Sequence, residues 1–192
     1  MGVEIRNLTK CFGTKTVLDN YSLSIADGEN IAIMGESGSG KTTLLNIIAG
    51  LVVPDSGEIY GIDEKKISFV FQEDRLAESF TVYRNIKLAC GKKITKQIVS
   101  DALIKIGLDA SLINSKVNTL SGGMKRRVSI IRALLCESDI LLLDEPTKGL
   151  DEQNKRLVVD YILASSVNKT VLWVTHDEDE AKYVSGRIIT IN

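Results

Sequence analysis

The chain has 192 residues, which is the size of one ordinary domain. Hydrophobic residues make up 44% and charged residues 26%, with only two prolines, so the composition excludes a disordered chain. The 24 basic and 25 acidic residues give a formal net charge of −1, which argues against a general binder of nucleic acid or another polyanion.

Targeting features are missing from the sequence. No apolar run approaches the roughly 18 to 20 residues that span a bilayer, and the first residues do not form a signal sequence. The cysteines Cys11, Cys90 and Cys136 are odd in number, far apart and without CxxC spacing. This pattern predicts reduced thiols in a cytosolic protein.

The beginning of the chain predicts an antiparallel sheet. Short apolar segments separated by turns occupy residues 3–8, 17–25 and 58–60. Continuous apolar runs at 31–34, 140–143 and 171–174, with a fourth candidate at 67–71, are typical of strands buried on both faces of a parallel sheet. A polar turn and a predicted helix follow each of the first three, which indicates an α/β domain.

The region between residues 80 and 120 is predicted to be helical. Thr95 is expected to cap a helix that ends at Gly107. One apolar face of that helix would consist of Ile98, Ala102, Leu103 and Ile106. No repeat or linker divides the chain, so we expect a single domain over residues 1–192, with an antiparallel β lobe and a helical lobe inserted at about 73–120.

Residues 35–42 read Gly-Glu-Ser-Gly-Ser-Gly-Lys-Thr and match the phosphate-binding pattern GxxxxGK[ST] in full. They lie between a predicted buried strand and the apolar segment 44–49, which is predicted to be a helix. Glycines allow successive backbone N–H groups to point at phosphate oxygens, and a helix N-terminus adds positive potential. Lys41 is expected to reach the β- and γ-phosphates, and Thr42 to ligate Mg²⁺. The predicted nucleotide-binding residues are Gly35, Glu36, Ser37, Gly38, Ser39, Gly40, Lys41, Thr42 and Thr43.

Two acids and the only histidine follow buried strands directly. Asp144 and Glu145 come after the run at 140–143, and His176 comes after the run at 171–174. Ligands bind at the carboxyl ends of such strands, so Asp144 is a candidate for the Mg²⁺ site and Glu145 for orienting or deprotonating water. His176 is a candidate hydrogen-bond donor to the γ-phosphate. The alternatives are solvated acids at a strand end and a structural histidine. The acids at 177–180 are explained by the first turn of a helix, where the helix dipole favours negative charge.

The segment Leu-Ser-Gly-Gly-Met-Lys-Arg-Arg at 120–127 resembles the LSGGQ signature of ABC ATPases, with Met124 in place of glutamine. Gln72 is similar to the Q-loop residue of that family, and 149–151 to its D-loop, which ends on Asp151. Phe12 stands where the family stacks an aromatic ring on adenine. The resemblance covers essentially the whole chain and implies the ABC ATPase architecture.

The resemblance implies a head-to-tail homodimer that forms with ATP and holds two ATP molecules. Ser121, Gly122 and Gly123 of one copy would cover the γ-phosphate held by the other. The residue types also favour an anion nest, meaning a turn whose hydroxyl and backbone N–H groups bind an anion, and here the anion would be bound to the other subunit. The alternative is a plain turn that starts a helix. The implied catalytic residues are Glu145, His176, Lys41 and Gln72. The implied ligands of Mg²⁺ are Thr42, Gln72 and Asp144.

Three short motifs, at 71–76, 121–127 and 148–151, look most like ATPases of nitrate/sulfonate/taurine importers. The segment Thr-Lys-Gly-Leu-Asp at 147–151 departs from the common T-S-A-L-D of the family, which puts the D-loop contacts in doubt. We also expect no C-terminal regulatory domain and no long coiled-coil insertion.

The leading hypothesis for function is the ATP-hydrolysing subunit of a membrane transporter, an importer in this reading. Such a subunit would be cytoplasmic and would lie on the inner face of the membrane. Its partners would be separate permease subunits, reached through the helical lobe and first through residues 81–86, with a substrate-binding protein as a further candidate and no nucleic acid. One alternative is a soluble ATP-driven switch that acts on DNA, ribosomes or iron–sulfur assembly. Another is an ordinary P-loop kinase.

Overall fold

A computed structural model describes residues 2–191 of the chain. One of the two sheets in this part of the chain is antiparallel and has three strands, β1 (Val3–Phe12), β2 (Lys15–Ile25) and β4 (Ser56–Tyr60), in the order β2-β1-β4. The predicted antiparallel sheet is therefore confirmed.

A second sheet has five strands: β3 (Asn30–Met34), β5 (Ile67–Val70), β6 (Ile140–Asp144), β7 (Thr170–Val174) and β8 (Arg187–Thr190). Their order is β5-β6-β7-β3-β8, and the pairs β6/β7, β3/β7 and β3/β8 are parallel. Every residue of β6 and β7 is buried, as continuous apolar runs predict. The edge strand β8 was not predicted, because its side chains are largely exposed and it has no apolar run of four.

Contacts divide the chain into two compact units. The first unit comprises Met1–Phe69, Ser138–Glu145 and Asn168–Asn192, and the second comprises Val70–Glu137 and Pro146–Val167. The predicted helical lobe at 73–120 falls within the second unit, which is wider than predicted. The expectation of one ATPase domain over residues 1–192 stays a prediction.

The first unit contains two helices, α1 (Lys41–Ile48) and α6 (Glu178–Val184). Leu44 and Leu45 of α1 are fully buried and join a core that includes Ile33 of β3 and Leu142 of β6. Helix α1 begins three residues before the predicted segment 44–49. The predicted acidic first turn of α6 is confirmed, with Asp177 as its N-cap.

The second unit is built from α2 (Val82–Cys90), α3 (Lys96–Lys105), α4 (Gly122–Leu135) and α5 (Glu152–Ser165), with 3-10 helices at Ala110–Asn114 and Val117–Thr119. None of the helices within residues 2–191 is long and apolar enough to cross a membrane.

Helix α3 confirms its predicted ends and corrects one predicted core residue. The Thr95 hydroxyl accepts a hydrogen bond from the Ile98 N–H at 3.3 Å, and Gly107 takes a φ of 74° just after the helix. Ile98 is 40% exposed, whereas its neighbour Val99 is fully buried. The prediction for Ile98 is wrong because Val99, not Ile98, is on the same helical face as Leu103 and Ile106.

The prediction that all three cysteines are free thiols is wrong for two of them. Cys90 and Cys136 form a disulfide with a Cα–Cα distance of 4.6 Å, while Cys11 is free. Cys90 ends α2 and Cys136 caps the C-terminus of α4. The packing of these helices brings together two residues 46 positions apart, which spacing in the sequence does not reveal.

Candidate functional site

The phosphate loop, residues 35–40, joins β3 to α1 in the first unit. Gly35 has a φ of 149°, and a Cβ on it would lie 2.1 Å from the Ile191 carbonyl oxygen and 2.7 Å from Ser39 Oγ. Gly40 has a φ of 100°, and a Cβ there would lie 2.7 Å from the Val17 carbonyl oxygen. The loop therefore requires glycine at these two positions for both space and backbone conformation.

Donors inside the loop fit an anionic ligand. Ser39 Oγ is buried and has no hydrogen-bond partner within residues 2–191. No side chain of the described part of the chain caps the N-terminus of α1, which begins after Gly40. Uncapped N–H groups at a helix N-terminus attract phosphate oxygens. The residues present therefore fit the phosphates of a nucleotide.

Lys41 is buried, and its ammonium group is turned back into the loop. Its Nζ donates to the carbonyl oxygens of Gly35 at 2.8 Å and Glu36 at 2.6 Å. Charged hydrogen bonds to phosphate are stronger than those to neutral carbonyls, so a phosphate would be a better partner for this group. Ser37 and Gly38 form the exposed crest of the loop, and Thr43 is partly buried in α1.

The two predicted oxygen ligands of a metal are hydrogen-bonded to each other. Thr42 Oγ1 donates to Asp144 Oδ2 at 2.8 Å, and Asp144 is buried at the end of β6. Hydroxyl and carboxylate oxygens are the ligands that Mg²⁺ prefers, so the donor set fits this ion. Within residues 2–191 no group of three or more His, Cys, Asp or Glu side chains could hold a metal by itself. A metal here would need oxygens from a bound ligand as well.

Glu145 and His176 meet at the ends of the neighbouring strands β6 and β7. His176 Nδ1 lies 3.4 Å from Glu145 Oε1, and the side chains are 70% and 18% exposed, respectively. Glu145 has a φ of 47°, which is unusual for a residue with a side chain, and its N–H donates to the Val174 carbonyl at 3.0 Å. Non-glycine residues held in this conformation are concentrated at functional sites. An open cavity of about 490 Å³ is lined by Gly35, Glu36 and His176 among others.

Phe12 ends β1, and its ring is available for stacking. The residue is 52% exposed, and Lys10 Nζ lies 5.4 Å from the ring centroid. A large aromatic side chain with one open face is suited to stacking on a base.

In the second unit, Ser121, Gly122 and Gly123 form the start of α4. Ser121 is the N-cap, and its Oγ accepts a hydrogen bond from the Met124 N–H at 3.3 Å. A Cβ on Gly122 would meet no atom within 4 Å, so this glycine leaves open space in front of the helix N-terminus. These three residues therefore begin a helix with open space at its N-terminus, where an anion could bind, and the predicted anion nest stays a prediction.

Asp151 is the N-cap of α5 in the second unit. Its carboxylate accepts from the Asn154 N–H at 2.9 Å and from Asn154 Nδ2 at 2.6 Å. These bonds hold the pKa of the Asp151 carboxyl below its usual value, with the backbone bond as the largest cause. Arg127 of α4 donates to Asn154 Oδ1 at 2.8 Å. The predicted D-loop residue is thus connected to the signature helix within this unit.

Gln72 also lies in the second unit, and its main-chain carbonyl lies 3.4 Å from Arg126 Nη1. Arg126 was not predicted as a site residue, although it is only 4% exposed. A signal for it exists in the sequence, because it precedes buried Ile130 and Ala133 at the helical spacing of an apolar face.

The predicted site residues thus form two sets. The first unit brings together the phosphate loop with Lys41, Thr42, Asp144, Glu145 and His176, and the second unit contains Gln72, Ser121, Gly122, Gly123 and Asp151. Each set lies on strand ends, helix N-termini and turns, where ligand-binding residues are concentrated.

Residues 18–148 of the chain match the profile of a family described as ABC transporter. Among curated proteins, the chain is 38% identical over 213 residues to the sulfate/thiosulfate import ATP-binding protein CysA of Bradyrhizobium diazoefficiens, covering 100% of this chain and 61% of that protein. It is 36% identical over 206 residues to the Fe(3+) ions import ATP-binding protein FbpC of Escherichia coli O157:H7, covering 99% of this chain and 59% of that protein. The chain therefore spans about three fifths of the length of these relatives.

Two solved structures of ATP-binding cassettes are similar to this chain over nearly the whole length of both chains. A dimeric post-hydrolysis state of the ATP-binding cassette MJ0796 bound to ADP and Pi superposes with a TM-score of 0.88 at 34% identity, covering 99% of this chain and 94% of that one. A dimeric structure of MJ0796, described as a bacterial ABC transporter cassette, gives a TM-score of 0.87 at 32% identity, covering 98% of this chain and 94% of that one.

Proposed function

This chain belongs to the ABC transporter family, and we propose that it binds and hydrolyses ATP to power a membrane importer. The observation that carries the proposal is the hydrogen bond between Thr42 and Asp144 beside an uncapped phosphate loop. The curated relatives described above are named as import ATP-binding proteins, which supports import. We further propose that residues 1–192 act as one ATPase domain with its helical lobe at about 73–120.

The loop, Lys41 and Phe12 would bind different parts of the nucleotide. The glycine loop and the N-terminus of α1 supply N–H donors, and Lys41 would exchange its two carbonyl partners for the β- and γ-phosphates. Phe12 would stack on the adenine.

Thr42 and Asp144 would hold Mg²⁺ directly or through water. The family resemblance also implies that Gln72 takes part in hydrolysis as a ligand of this ion. When bound, the ion would neutralise charge that develops on the phosphate oxygens. Asp144 is suited to this position because it is buried at the end of β6, where its carboxylate is held in place by the Thr42 hydroxyl.

Hydrolysis would depend on Glu145 and His176. The Glu145 carboxylate would orient an attacking water and accept its proton, and it is mostly shielded from solvent. His176, 3.4 Å away and more exposed, would donate a hydrogen bond to the γ-phosphate. Together with Lys41 these groups would stabilise the charge of the transition state.

The complete site would need two copies of the chain. In a head-to-tail homodimer, Ser121, Gly122 and Gly123 of one copy would cover the γ-phosphate bound to the loop of the other, with Asp151 near the interface. An anion nest in the second unit would then complete the nest in the partner's first unit. The dimeric MJ0796 structures support assembly of this kind.

The transporter subunit would lie at the cytoplasmic face of the membrane and bind separate permease subunits. Residues 81–86 are the proposed contact. Val82, Asn85 and Ile86 in this segment are buried, so the exposed Arg84 would be the main contact residue. A substrate-binding protein would complete an importer. The nitrate/sulfonate/taurine subtype stays a prediction.

Replacing Glu145 by Gln tests the hydrolytic role. The variant should bind ATP with unchanged affinity, lose about a thousandfold in hydrolysis rate and accumulate as a dimer, because the amide cannot accept the proton of water. Size-exclusion chromatography with ATP and a steady-state phosphate assay measure this. Glu64→Gln, an exposed acid of the first unit outside the loop, is the control. Equal monomer fractions for wild type and E145Q would contradict the role of Glu145.

Affinity purification from membranes tests the transport role. A polytopic membrane protein should co-purify as the main partner, and its yield should fall when Arg84 is replaced by Glu in the proposed contact. A nucleoprotein or a scaffold protein as the main partner would instead support a soluble ATP-driven switch.

A further inference from the structure

One buried guanidinium group in the second unit joins three segments of the chain. Arg126 of α4 is only 4% exposed. Burying a cation is costly unless its donors are satisfied, and a guanidinium has five N–H donors in a rigid fork. The partners of Arg126 therefore show what the protein gains from keeping this charge inside.

Three of its partners are main-chain oxygens that belong to predicted site residues or to their direct neighbours in the chain. Arg126 Nη1 donates to the Phe71 carbonyl at 2.5 Å and lies 3.4 Å from the Gln72 carbonyl. Its Nε donates to the carbonyl of Pro146 at 2.9 Å, and Pro146 directly follows Glu145 in the chain. Asp74 Oδ1, 3.4 Å from Nη1, supplies the nearby negative charge.

The rest of the glutamine segment, residues 71–75, is bound to the same face of α4. Ser129 Oγ lies 3.4 Å from Asp74 Oδ1, and Arg132 donates to the carbonyls of Asp74 at 3.0 Å and Arg75 at 2.7 Å. Positions 126, 129 and 132 are spaced by three and therefore lie along one side of the helix.

The backbone of the glutamine segment is strained as well as tethered. Arg75 has a φ of 45°, and its guanidinium carbon lies 3.8 Å from the centroid of the Phe71 ring. A non-glycine residue keeps such a conformation only when its surroundings impose it. The contacts from α4 are those surroundings, so they fix the path of the chain through Gln72 and leave this residue's side chain exposed.

We propose that Arg126 is a positioning residue, which sets the main-chain position of Gln72 and ties it to the helix that begins at the signature turn. Ser121, the N-cap of α4, stands five residues before Arg126 on a rigid element. A ligand that displaces the N-terminus of α4 would displace Gln72 with it. The inference rests on the proposed role of Gln72 in hydrolysis.

Arg127 provides a matched comparison, because it is a partly buried arginine in the same helix with the same kind of partners. It donates to the Gly107 carbonyl at 3.0 Å and to Asn154 Oδ1 at 2.8 Å, and both of these partners lie outside residues 71–75. Removing either guanidinium breaks hydrogen bonds to main-chain oxygens. Only the loss of Arg126 should release the glutamine segment.

The test compares Arg126→Met, Arg126→Lys and Arg127→Met in the full chain. Hydrogen exchange read by mass spectrometry reports directly on residues 71–75. We expect Arg126→Met to speed exchange there about tenfold, Arg126→Lys to restore part of the protection, and Arg127→Met to leave this segment unchanged.

Hydrolysis kinetics supply the second readout. Arg126→Met should lower kcat about tenfold with KM for ATP nearly unchanged, since the phosphate loop is intact. In a Gln72→Ala background the same change should lower kcat by much less than tenfold, because two substitutions that act through one group are not additive.

Unchanged exchange at residues 71–75 in Arg126→Met would overturn the proposal, as would full additivity with Gln72→Ala. A wild-type chain that hydrolyses no ATP would contradict the proposed function instead. In that case the exchange measurement still decides whether Arg126 sets the position of Gln72.

Discussion

The phosphate loop and the signature helix hold their functional groups in place by different physical means. The phosphate loop depends on backbone conformation, with Gly35 and Gly40 in positions where a Cβ would collide with main-chain oxygens. The signature helix α4 depends on side chains, because Arg126 and Arg132 bind carbonyls of residues 71–75 and Cys136 bonds covalently to Cys90.

The difference indicates which region can move. A loop fixed by its own backbone turns offers one conformation, suited to a constant ligand such as a phosphate chain. A helix tied to neighbouring segments by long side chains can carry those segments with it as a group. Substitutions at backbone positions should therefore remove binding, whereas substitutions in the helix tethers should change coupling or stability.

The largest effect on stability is expected from the disulfide. Cys90→Ser should lower the free energy of unfolding by about 4 kcal/mol, because the bond restricts a loop with a sequence separation of 46 in the unfolded chain. Urea unfolding followed by circular dichroism, with and without reductant, measures this. Cys11→Ser removes the free thiol and is the control. Equal stability of the two variants, with no response to reductant, would contradict the assigned pair.

The next effect is expected at the phosphate loop. Gly35→Ala should cost about 3 kcal/mol of unfolding free energy and abolish nucleotide binding, because the new methyl group collides with the Ile191 carbonyl. At Gly38 a Cβ would meet only Lys15 Nζ at 3.6 Å, so Gly38→Ala should cost about 1 kcal/mol from its φ of 83°. Thermal unfolding and nucleotide titration compare the two. Equal losses would show that the close approach at Gly35 is unimportant.

The smallest effect is expected from a side chain beside the loop. Lys15 Nζ lies close to the crest at Gly38, so its charge would face the phosphates. Lys15→Gln should weaken ATP binding about threefold at low salt and less at high salt, as expected for one exposed charge. Titration with a fluorescent ATP analogue at two ionic strengths measures this, with the exposed Lys92→Gln as control. A salt-independent change, or the same change for both variants, would contradict the charge effect.

Local patterns predicted the first unit well. The phosphate loop is contiguous in sequence, and Asp144, Glu145 and His176 each follow a buried apolar run whose carboxyl end faces ligands. Thr42 and Asp144 were both predicted as ligands of one Mg²⁺ ion, and their side-chain oxygens lie 2.8 Å apart. The positions of these residues could be predicted because each lies next to a recognisable motif or at the carboxyl end of a recognisable strand.

Long-range pairings were missed. The bond between Cys90 and Cys136 and the contacts of Arg126 with residues 71–72 and 146 depend on how helices pack, which periodicity alone does not define. The edge strand β8 was missed because it is short and largely exposed. The error at Ile98 had a local cause, since two adjacent apolar residues compete for one helical face.

The central claim is that the phosphate loop of one copy and the signature turn of another form one site. Lys41→Ala and Ser121→Arg should each be inactive alone, and Ser121→Arg should keep its affinity for ATP. Mixing them in equal amounts should restore about a quarter of the wild-type hydrolysis rate, because half of the dimers would then contain one intact site of two. A mixture no more active than the sum of the separate variants would contradict the shared site.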